Sequence, residues 1–181
     1  NYEENQYLDF SLRAEDSEGL FVDQEFRFEI LDVNEEPVFI SENSVSFNEN
    51  ASLDTIVYHA QAQDVDGDTI TYSIDGLDAN KFFIETNTGK VRFLETPDFE
   101  TKSEYIFDII ASDGVLNTVN QVNVNIQNIN EKPEINTENH VNISPKTIKN
   151  QYVTEFSVLD PENQSMDINL QGVDASFFSI I

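Results

Sequence analysis

The chain contains no cysteine and no tryptophan, and only nine of its 181 residues are lysine or arginine. Without cysteine it has no disulfides, no thiolate metal ligands and no cysteine nucleophile. The nine basic residues stand against 35 acidic ones, which gives a formal net charge of −26. Nucleic acids and anionic membrane surfaces bind positive protein faces, so both are poor partners for this chain, and we expect no nucleic-acid binding. No apolar run approaches the roughly 18 residues of a membrane-spanning helix, which argues against direct membrane insertion.

The composition nevertheless predicts a folded protein. Apolar residues make up 39% of the chain, with 14 phenylalanines and 6 tyrosines, and this is too much apolar material for a disordered segment. The length allows one large domain or about two ordinary ones. A compact fold with so much charge of one sign repels itself, so cations should stabilise it. Those cations are either divalent ions in specific sites or salt that acts diffusely.

Short segments rich in β-branched and aromatic residues follow one another from residue 38 onward. No long window shows helical periodicity, and strands at this spacing are typical of an all-β sandwich. One segment contains a Thr-Gly pair and reads as two strands around a turn, because Gly89 can take a positive φ. The predicted strand segments are 56–62, 69–74, 82–93, 105–111 and 121–127.

The chain contains an internal sequence repeat with a period of 96 residues. The first 32 residues match the end of the central segment, and the last 53 match its beginning. We therefore predict the C-terminal part of one repeat at 1–32, a complete repeat at 33–128 and the N-terminal part of a third at 129–181. The matching pairs are 8–16 with 105–113, 25–32 with 121–128, and 160–180 with 64–84.

Acidic residues concentrate where the predicted strands end and in the two linkers. Hard divalent cations such as calcium take six to eight oxygen ligands, mostly carboxylates and carbonyls. No single cluster supplies that many, but clusters from consecutive repeats would if they met at a junction. Pro37 and Pro133 hold the linkers extended and non-helical, so the linkers are the expected meeting points.

Six motifs in order resemble those of tandem cadherin repeats of the bacterial type. They are "FNEN" (47–50), "DVDGDTITYSI" (64–74), "FFIETNTGKV" (82–91), "PDFE" (97–100), "DIIASDG" (108–114) and the linkers "DVNEEP" (32–37) and "NINEKP" (128–133). The resemblance implies an all-β fold of tandem Greek-key β-sandwich repeats, cadherin- or immunoglobulin-like, of about 96 residues each. It also implies bound Ca²⁺ at the two junctions.

The resemblance implies two sets of calcium ligands. At the first junction the side chains are Glu3, Asp32, Asn34, Glu35, Asp64, Asp66 and Asp113, and the backbone carbonyls are those of Val33 and Glu36. At the second junction they are Glu49, Asp98, Glu100, Asn128, Asn130, Glu131, Asp160 and Glu162.

Several positions depart from the family pattern. Asn1 stands where an aspartate is expected, Asn128 replaces the linker aspartate, and Lys132 adds a positive charge. We therefore expect the first junction to be intrinsically the stronger of the two. In the third repeat "ISPK" (143–146) replaces "FNEN", which would impair any junction below it.

Three other interpretations compete with this one. The acidic residues could form a solvated, halophile-like surface without specific ions. "DVDGD" could be a helix–loop–helix calcium loop, but Gly67 is at its fourth position where the sixth is required, and the flanks predict strands. The chain could also be a calcium-dependent carbohydrate-binding module. Tyr58 and Tyr72 are the candidate platforms, but both fit sandwich strands, where aromatic residues are usually core or sheet-face residues.

No catalytic arrangement is evident. His59 lies in a predicted strand and His140 in a polar loop, and neither has triad spacing around it. Asp98 and Glu100 could imitate a glycosidase pair, but alternate positions more simply supply two ligands to one ion.

We therefore expect a non-enzymatic, calcium-rigidified segment of a bacterial surface or secreted adhesin or filament, located outside the cell. Its expected partners are neighbouring repeats of the same or another copy, with polysaccharide as the alternative. We also expect the sequence to be a window of a longer chain. A polymer in which another copy completes the terminal half-repeats is the alternative, but joining two copies would skip the equivalents of residues 86–97, which include the Gly89 hairpin and a strand.

Overall fold

The computed structural model describes residues 1–137 and 153–180, and this part of the chain is all-β, as predicted. It forms two compact units, Asn1–Gln127 and Asn128–Ile181. The strands are β1 (Tyr7–Glu15), β2 (Phe21–Glu29), β3 (Val38–Phe39), β4 (Ser44–Asn48), β5 (Tyr58–His59), β6 (Ala62–Gln63), β7 (Thr71–Asp75), β8 (Phe82–Ile84), β9 (Lys90–Phe93), β10 (Glu104–Ser112), β11 (Asn117–Gln127), β12 (Glu134–Asn136) and β13 (Ser157–Leu159).

The helical content is two short 3₁₀ turns, η1 (Ala79–Lys81) and η2 (Ala175–Phe177), within the described ranges. Among those residues no helix has the length and apolar character needed to cross a bilayer.

The central repeat is a β-sandwich. One sheet has the strand order β4-β11-β10-β7, with β4 parallel to β11, and the opposing sheet has the order β5-β9-β8. The strand pair β3–β6 forms a third, two-stranded sheet. Aromatic side chains from both main sheets meet between them, with the rings of Phe82 and Phe107 4.5 Å apart at their centroids. This interlayer contact places the core of the repeat between the two main sheets.

Strands β10 and β11 show how the sequence specifies the pairing register of this sheet. Every second side chain of β10 is buried, so Tyr105, Phe107 and Ile109 face the core while their neighbours face outward. Phe107 pairs with Val122 in β11, and both are fully buried. A slip of one residue would turn this apolar set toward solvent, so the alternation specifies the register.

The predicted strand 56–62 divides into two strands that belong to different sheets. β5 pairs with β9, whereas β6 pairs with β3. The chain changes sheets at Ala60, which is 1% exposed and donates its backbone N–H to the Gly89 carbonyl oxygen at 2.9 Å. Strand β4 was not among the predicted segments, although Val45 and Phe47 alternate with exposed polar residues. Its parallel pairing with β11 joins residues far apart in sequence, so the structure alone shows that pairing.

The hairpin β1–β2 repeats the register of β10–β11. Phe10 lies opposite Phe26, at the positions that correspond to Phe107 and Val122. Its apolar side is exposed, with Phe10 at 47%, whereas Phe107 is at 0%. On its other side two arginine–aspartate pairs link the strands. They join Arg13 to Asp23 and Arg27 to Asp9.

The second unit contains the antiparallel pair β12–β13 and the turn η2. Asp174 precedes η2 with φ −102°, and its repeat equivalent Asp78 precedes η1 with φ −108°. The predicted change at residues 143–146 and the candidate His140 lie outside the described residues, and the repeat boundaries stay predictions.

The contact between Gly89 and Ala60 yields a stability prediction. Gly89 has φ +67°, and a Cβ there would lie 2.4 Å from the Ala60 carbonyl oxygen. Gly89→Ala should therefore lower the free energy of unfolding by about 2–5 kcal/mol, since the left-handed backbone costs about 1–2 kcal/mol and overpacking about 1–3 kcal/mol. Urea unfolding in chelator measures this free energy.

Gly114→Ala is the matched control, because Gly114 has φ +99° but open space around its Cβ position. It should cost only the backbone strain of about 1–2 kcal/mol. Equal losses for the two variants would contradict the steric explanation.

Candidate metal centre

The loop that follows β6 gathers three aspartates. One oxygen of Asp64, Oδ1, accepts the backbone N–H groups of Asp66 at 3.0 Å and Asp68 at 3.3 Å. Gly67 has φ +81°, which a side chain would disfavour, and so lets the chain turn here. The carboxylates of Asp64, Asp66 and Asp68 consequently offer oxygens within 4.8 Å of one another.

The linker docks onto this loop and onto the turn between β10 and β11. The Glu35 backbone N–H donates to Asp66 Oδ2 at 3.0 Å. The Asn34 side-chain amide donates to Asp113 Oδ2 at 2.8 Å. The linker that precedes Pro37 is thus attached to two loops of the central repeat by direct hydrogen bonds.

A second carboxylate group combines three parts of the first unit. Glu3 precedes β1, Glu35 is in the linker, and Asp66 is in the loop after β6, yet their carboxylate oxygens lie within 4.8 Å of one another. Asp66 belongs to both groups, so it connects them.

Two oxygens at the centre of these groups have no hydrogen-bond partner. Asp64 Oδ2 and Asp66 Oδ1 are both buried and unpaired. Burying an unpaired charged oxygen is costly, and a cation is the partner that removes the cost. Together with an all-oxygen donor set, this fits a hard divalent ion such as Ca²⁺.

The electrostatics of the site agree with this geometry. Desolvation, and then the neighbouring charges of Asp66, Glu3 and Asp32, raise the pKa of Glu35. Asp113 behaves in the opposite way, because the amide of Asn34 and the backbone N–H groups of Val115 and Leu116 hold its pKa below the usual range. The linker carboxylate therefore lies in a negative field, whereas the turn carboxylate is already stabilised as an anion.

The structure brings most of the first predicted set to one place. Glu3, Glu35, Asp64 and Asp66 share the two carboxylate groups, while Asn34 and Asp113 are joined by their hydrogen bond. Asp32 acts on Glu35 through its charge but belongs to neither group. The sequence reasoning missed Asp68, although its spacing of two residues from Asp66 could have indicated it.

Part of the second predicted set lies in the first unit. Glu49 is 2% exposed, and its Oε2 accepts the backbone N–H of Phe99 at 2.7 Å. This bond places Glu49 beside the segment that carries Asp98 and Glu100. Both carboxylate oxygens of Asp98 accept from Thr101, one from its backbone N–H and one from its hydroxyl.

The rest of that set lies in the second unit and repeats the contacts of the first linker. Glu131 N–H donates to Glu162 Oε1 at 2.9 Å, as Glu35 N–H does to Asp66. Asp160 Oδ1 accepts the backbone N–H of Gln164, the equivalent of Asp68. Asn130 accepts from the Gln164 side chain, and Asn128 begins the unit. The attachment of linker to loop is therefore built into the repeat, whereas ion binding by the second set stays a prediction.

The two candidate sugar platforms are not on the surface, which confirms the expectation from their strand positions and removes them from the carbohydrate interpretation. Tyr58 and Tyr72 are 6% and 8% exposed and belong to the core. The Tyr58 hydroxyl bonds Ser41 and the Glu42 carbonyl, and the Tyr72 hydroxyl accepts the Ala62 N–H. Alternation within the sandwich turned both rings inward. His59, for its part, contacts the Thr88 carbonyl oxygen at 3.0 Å.

Residues 43–127 match the family model described as the cadherin domain. Human Protocadherin Fat 1 is 33% identical over 115 residues, covering 59% of this chain and 2% of that protein. The Drosophila melanogaster protein dachsous is 28% identical over 169 residues, covering 82% of this chain and 5% of that protein. The chain thus spans only a few per cent of these relatives.

Solved structures agree on the fold. The extracellular cadherin domains 1–4 of Protocadherin Gamma B7 align with a TM-score of 0.60 and 25% identity, covering 89% of this chain and 42% of that one. Mouse Cadherin-23 EC22–24 aligns with a TM-score of 0.56, 23% identity, and 89% and 56% coverage. The cadherin resemblance is confirmed for the central repeat. The relatives named here are animal proteins, so the bacterial subtype stays a prediction.

The negative field at Glu35 predicts opposite effects of one substitution in two conditions. In chelator, Glu35→Gln should raise the melting temperature, because it removes like-charge repulsion while leaving the backbone hydrogen bond to Asp66 intact. In millimolar calcium the same variant should gain less stability from the ion than the parent protein does. Thermal unfolding followed by circular dichroism measures both effects.

Glu18→Gln is the control, since Glu18 lies in the exposed turn between β1 and β2. It removes the same charge away from the site and should leave the calcium response unchanged. An equal change in both variants would mean that net charge alone, not the site, controls stability.

Proposed function

We propose that the chain is a non-enzymatic segment of an extracellular adhesive rod, and that calcium bound at the first linker makes that segment rigid. The observation that carries this proposal is the convergence of Glu3, Glu35 and Asp66 from three parts of the chain, next to two buried unpaired oxygens. A solvated acidic surface would spread such charges apart rather than bury their oxygens.

The residues of the site would have different roles in binding the ion. Asp64 and Asp66 supply the buried unpaired oxygens, and Glu3 and Glu35 supply carboxylates from the upstream repeat and the linker. Asn34 and Asp113 hold the linker in place by their hydrogen bond. A bound divalent ion would supply the positive charge that these carboxylates lack. Their repulsion would then no longer push the hairpin and the linker away from the central repeat.

The comparisons support an adhesive role. The central repeat matches the cadherin domain, and one of the similar structures contains the extracellular cadherin domains of Protocadherin Gamma B7. We extend this to the whole protein as a proposal: an extracellular or cell-surface protein whose repeats contact neighbouring repeats of another copy. Its placement on a bacterial surface rests on the sequence resemblance alone.

Unfolding the protein in calcium and again in chelator tests whether it binds the ion. The free energy of unfolding should rise by about 2.7 kcal/mol when free calcium is one hundred times the dissociation constant. For a chain of this length that is a shift in melting temperature of roughly 5–10 °C. Magnesium at the same ionic strength should shift it far less, because Mg²⁺ demands a small octahedral site and dehydrates reluctantly.

The control for this melt is Asp66→Asn, which removes the charge shared by both carboxylate groups. The calcium-dependent shift should shrink in this variant. If calcium and magnesium gave equal shifts in the parent protein, diffuse screening would explain the acidic surface and the site would be rejected.

Adhesion needs a separate measurement. Beads coated with the protein should aggregate in calcium and disperse in chelator if copies bind one another. Glycan arrays probed under the same conditions distinguish a carbohydrate ligand, and binding to the array without bead aggregation would favour the carbohydrate module instead.

A further inference from the structure

The acidic loops contain Asp-Gly pairs, which are chemically reactive and have no part in the proposed adhesive role. Three of the six glycines directly follow an aspartate, in the pairs Asp66–Gly67, Asp75–Gly76 and Asp113–Gly114. In an Asp-Gly pair the glycine amide nitrogen can attack the aspartate side-chain carbon, because glycine has no Cβ to block the approach. Two of the three aspartates, Asp66 and Asp113, are at the candidate metal centre.

We propose that Asp66–Gly67 is a self-modification site, at which the aspartate isomerises to isoaspartate when the metal centre is empty and is protected when calcium is bound. The calcium protection rests on the proposed function, whereas the chemistry belongs to the Asp-Gly pair itself.

The reaction has two balanced steps. The Gly67 nitrogen bonds to Asp66 Cγ, and the carboxyl hydroxyl leaves as water with the amide proton, which closes a succinimide ring. Water then opens the ring. When it adds to the main-chain carbonyl, the chain continues through the side-chain carbonyl and the carboxylate remains on Cα. No atoms are gained or lost overall, but the main chain becomes one methylene longer and the carboxylate moves away from the site.

The local contacts select Asp66 over Asp113. At Asp66 the backbone N–H of Glu35 donates to Oδ2, while Oδ1 has no partner. Three hydrogen bonds hold Asp113, from the Asn34 amide and from the Val115 and Leu116 N–H groups. Ring closure requires the carboxyl group to leave these partners, so it requires less rearrangement at Asp66.

The surroundings of the glycines provide a further distinction. Apart from its chain neighbours, no atom lies within 4 Å of a Cβ position on Gly67, so the backbone at this glycine has space to rearrange. At Gly76 the same position lies 3.1 Å from Asp108 Oδ2, and Asp75 is paired with Asp108 in the sheet. Asp75 Oδ1 accepts the Gly76 N–H at 2.8 Å, but ring closure there must open the end of β7. Asp75 therefore reports on opening of the sandwich rather than on the metal centre.

Calcium would protect Asp66 by holding its carboxylate as a ligand. If the calcium-bound form does not react, the rate should fall roughly tenfold when free calcium is ten times the dissociation constant. The experiment incubates the protein well below its melting temperature in calcium chloride, in magnesium chloride and in chelator. Peptide mapping by mass spectrometry with electron-transfer fragmentation then quantifies isoaspartate at residues 66, 75 and 113.

The expected result is rapid accumulation at residue 66 in chelator, suppression by calcium but not magnesium, and slower accumulation at residues 75 and 113. Gly67→Ala should abolish the product at residue 66 and leave residue 75 unchanged. Calcium-independent accumulation at residue 66, in a protein whose melt responds to calcium, would overturn this inference but not the proposed function. An equal increase at all three positions in chelator would also overturn it, since opening of the whole fold would explain that result. A melt without a calcium response would reject the proposed function, and the protection at Asp66 with it.

Discussion

Repulsion between converging carboxylates is the constraint on which the linker region depends. Glu3, Glu35 and Asp66 offer oxygens within 4.8 Å of one another, although they come from three separate parts of the chain. The hydrogen bonds from Asn34 and from the Glu35 backbone hold the linker in place, but neither neutralises a charge. Under the proposed function a bound cation would supply the missing positive charge, and the rigidity of the linker would depend on it.

The apolar core of the sandwich stabilises the fold against this repulsion, and its contribution does not depend on charge. Phe107, Ile109 and Val122 are fully buried between the two main sheets. The acidic loops lie at strand ends, so the repulsion between their carboxylates acts where there are few apolar contacts to disrupt. If calcium binds as proposed, the linker would respond to the ion while the core of the repeat stays intact. The hydrogen bond from Glu131 to Glu162 reproduces that from Glu35 to Asp66, which indicates that the same attachment of linker to loop recurs along the chain.

Much of this could be predicted from sequence, because the informative patterns are local. Alternation in residues 121–127 indicates a strand with one buried face, and the motif at residues 64–68 indicates an oxygen-rich loop. Strand β4 was not among the segments predicted from composition, although Val45 and Phe47 alternate with polar residues. What the sequence could not show is its pairing with β11, which is parallel and about 80 residues away. Tyr58 and Tyr72 were candidate sugar platforms whose strand positions favoured a core or sheet-face role, and the packing of the sandwich confirms that both rings are buried.

The sequence by itself determined the all-β class, the 96-residue period and the identity of most residues at the candidate metal centre. Each of these depends on residue type and spacing, which a linear pattern carries. Only the tertiary structure decided that Asp68 joins Asp64 and Asp66, that Asp32 stays outside both carboxylate groups, and that two oxygens are buried without partners. Those outcomes depend on how three loops meet at the ends of their strands, and distances between loops are determined by the packing of the strands that carry them.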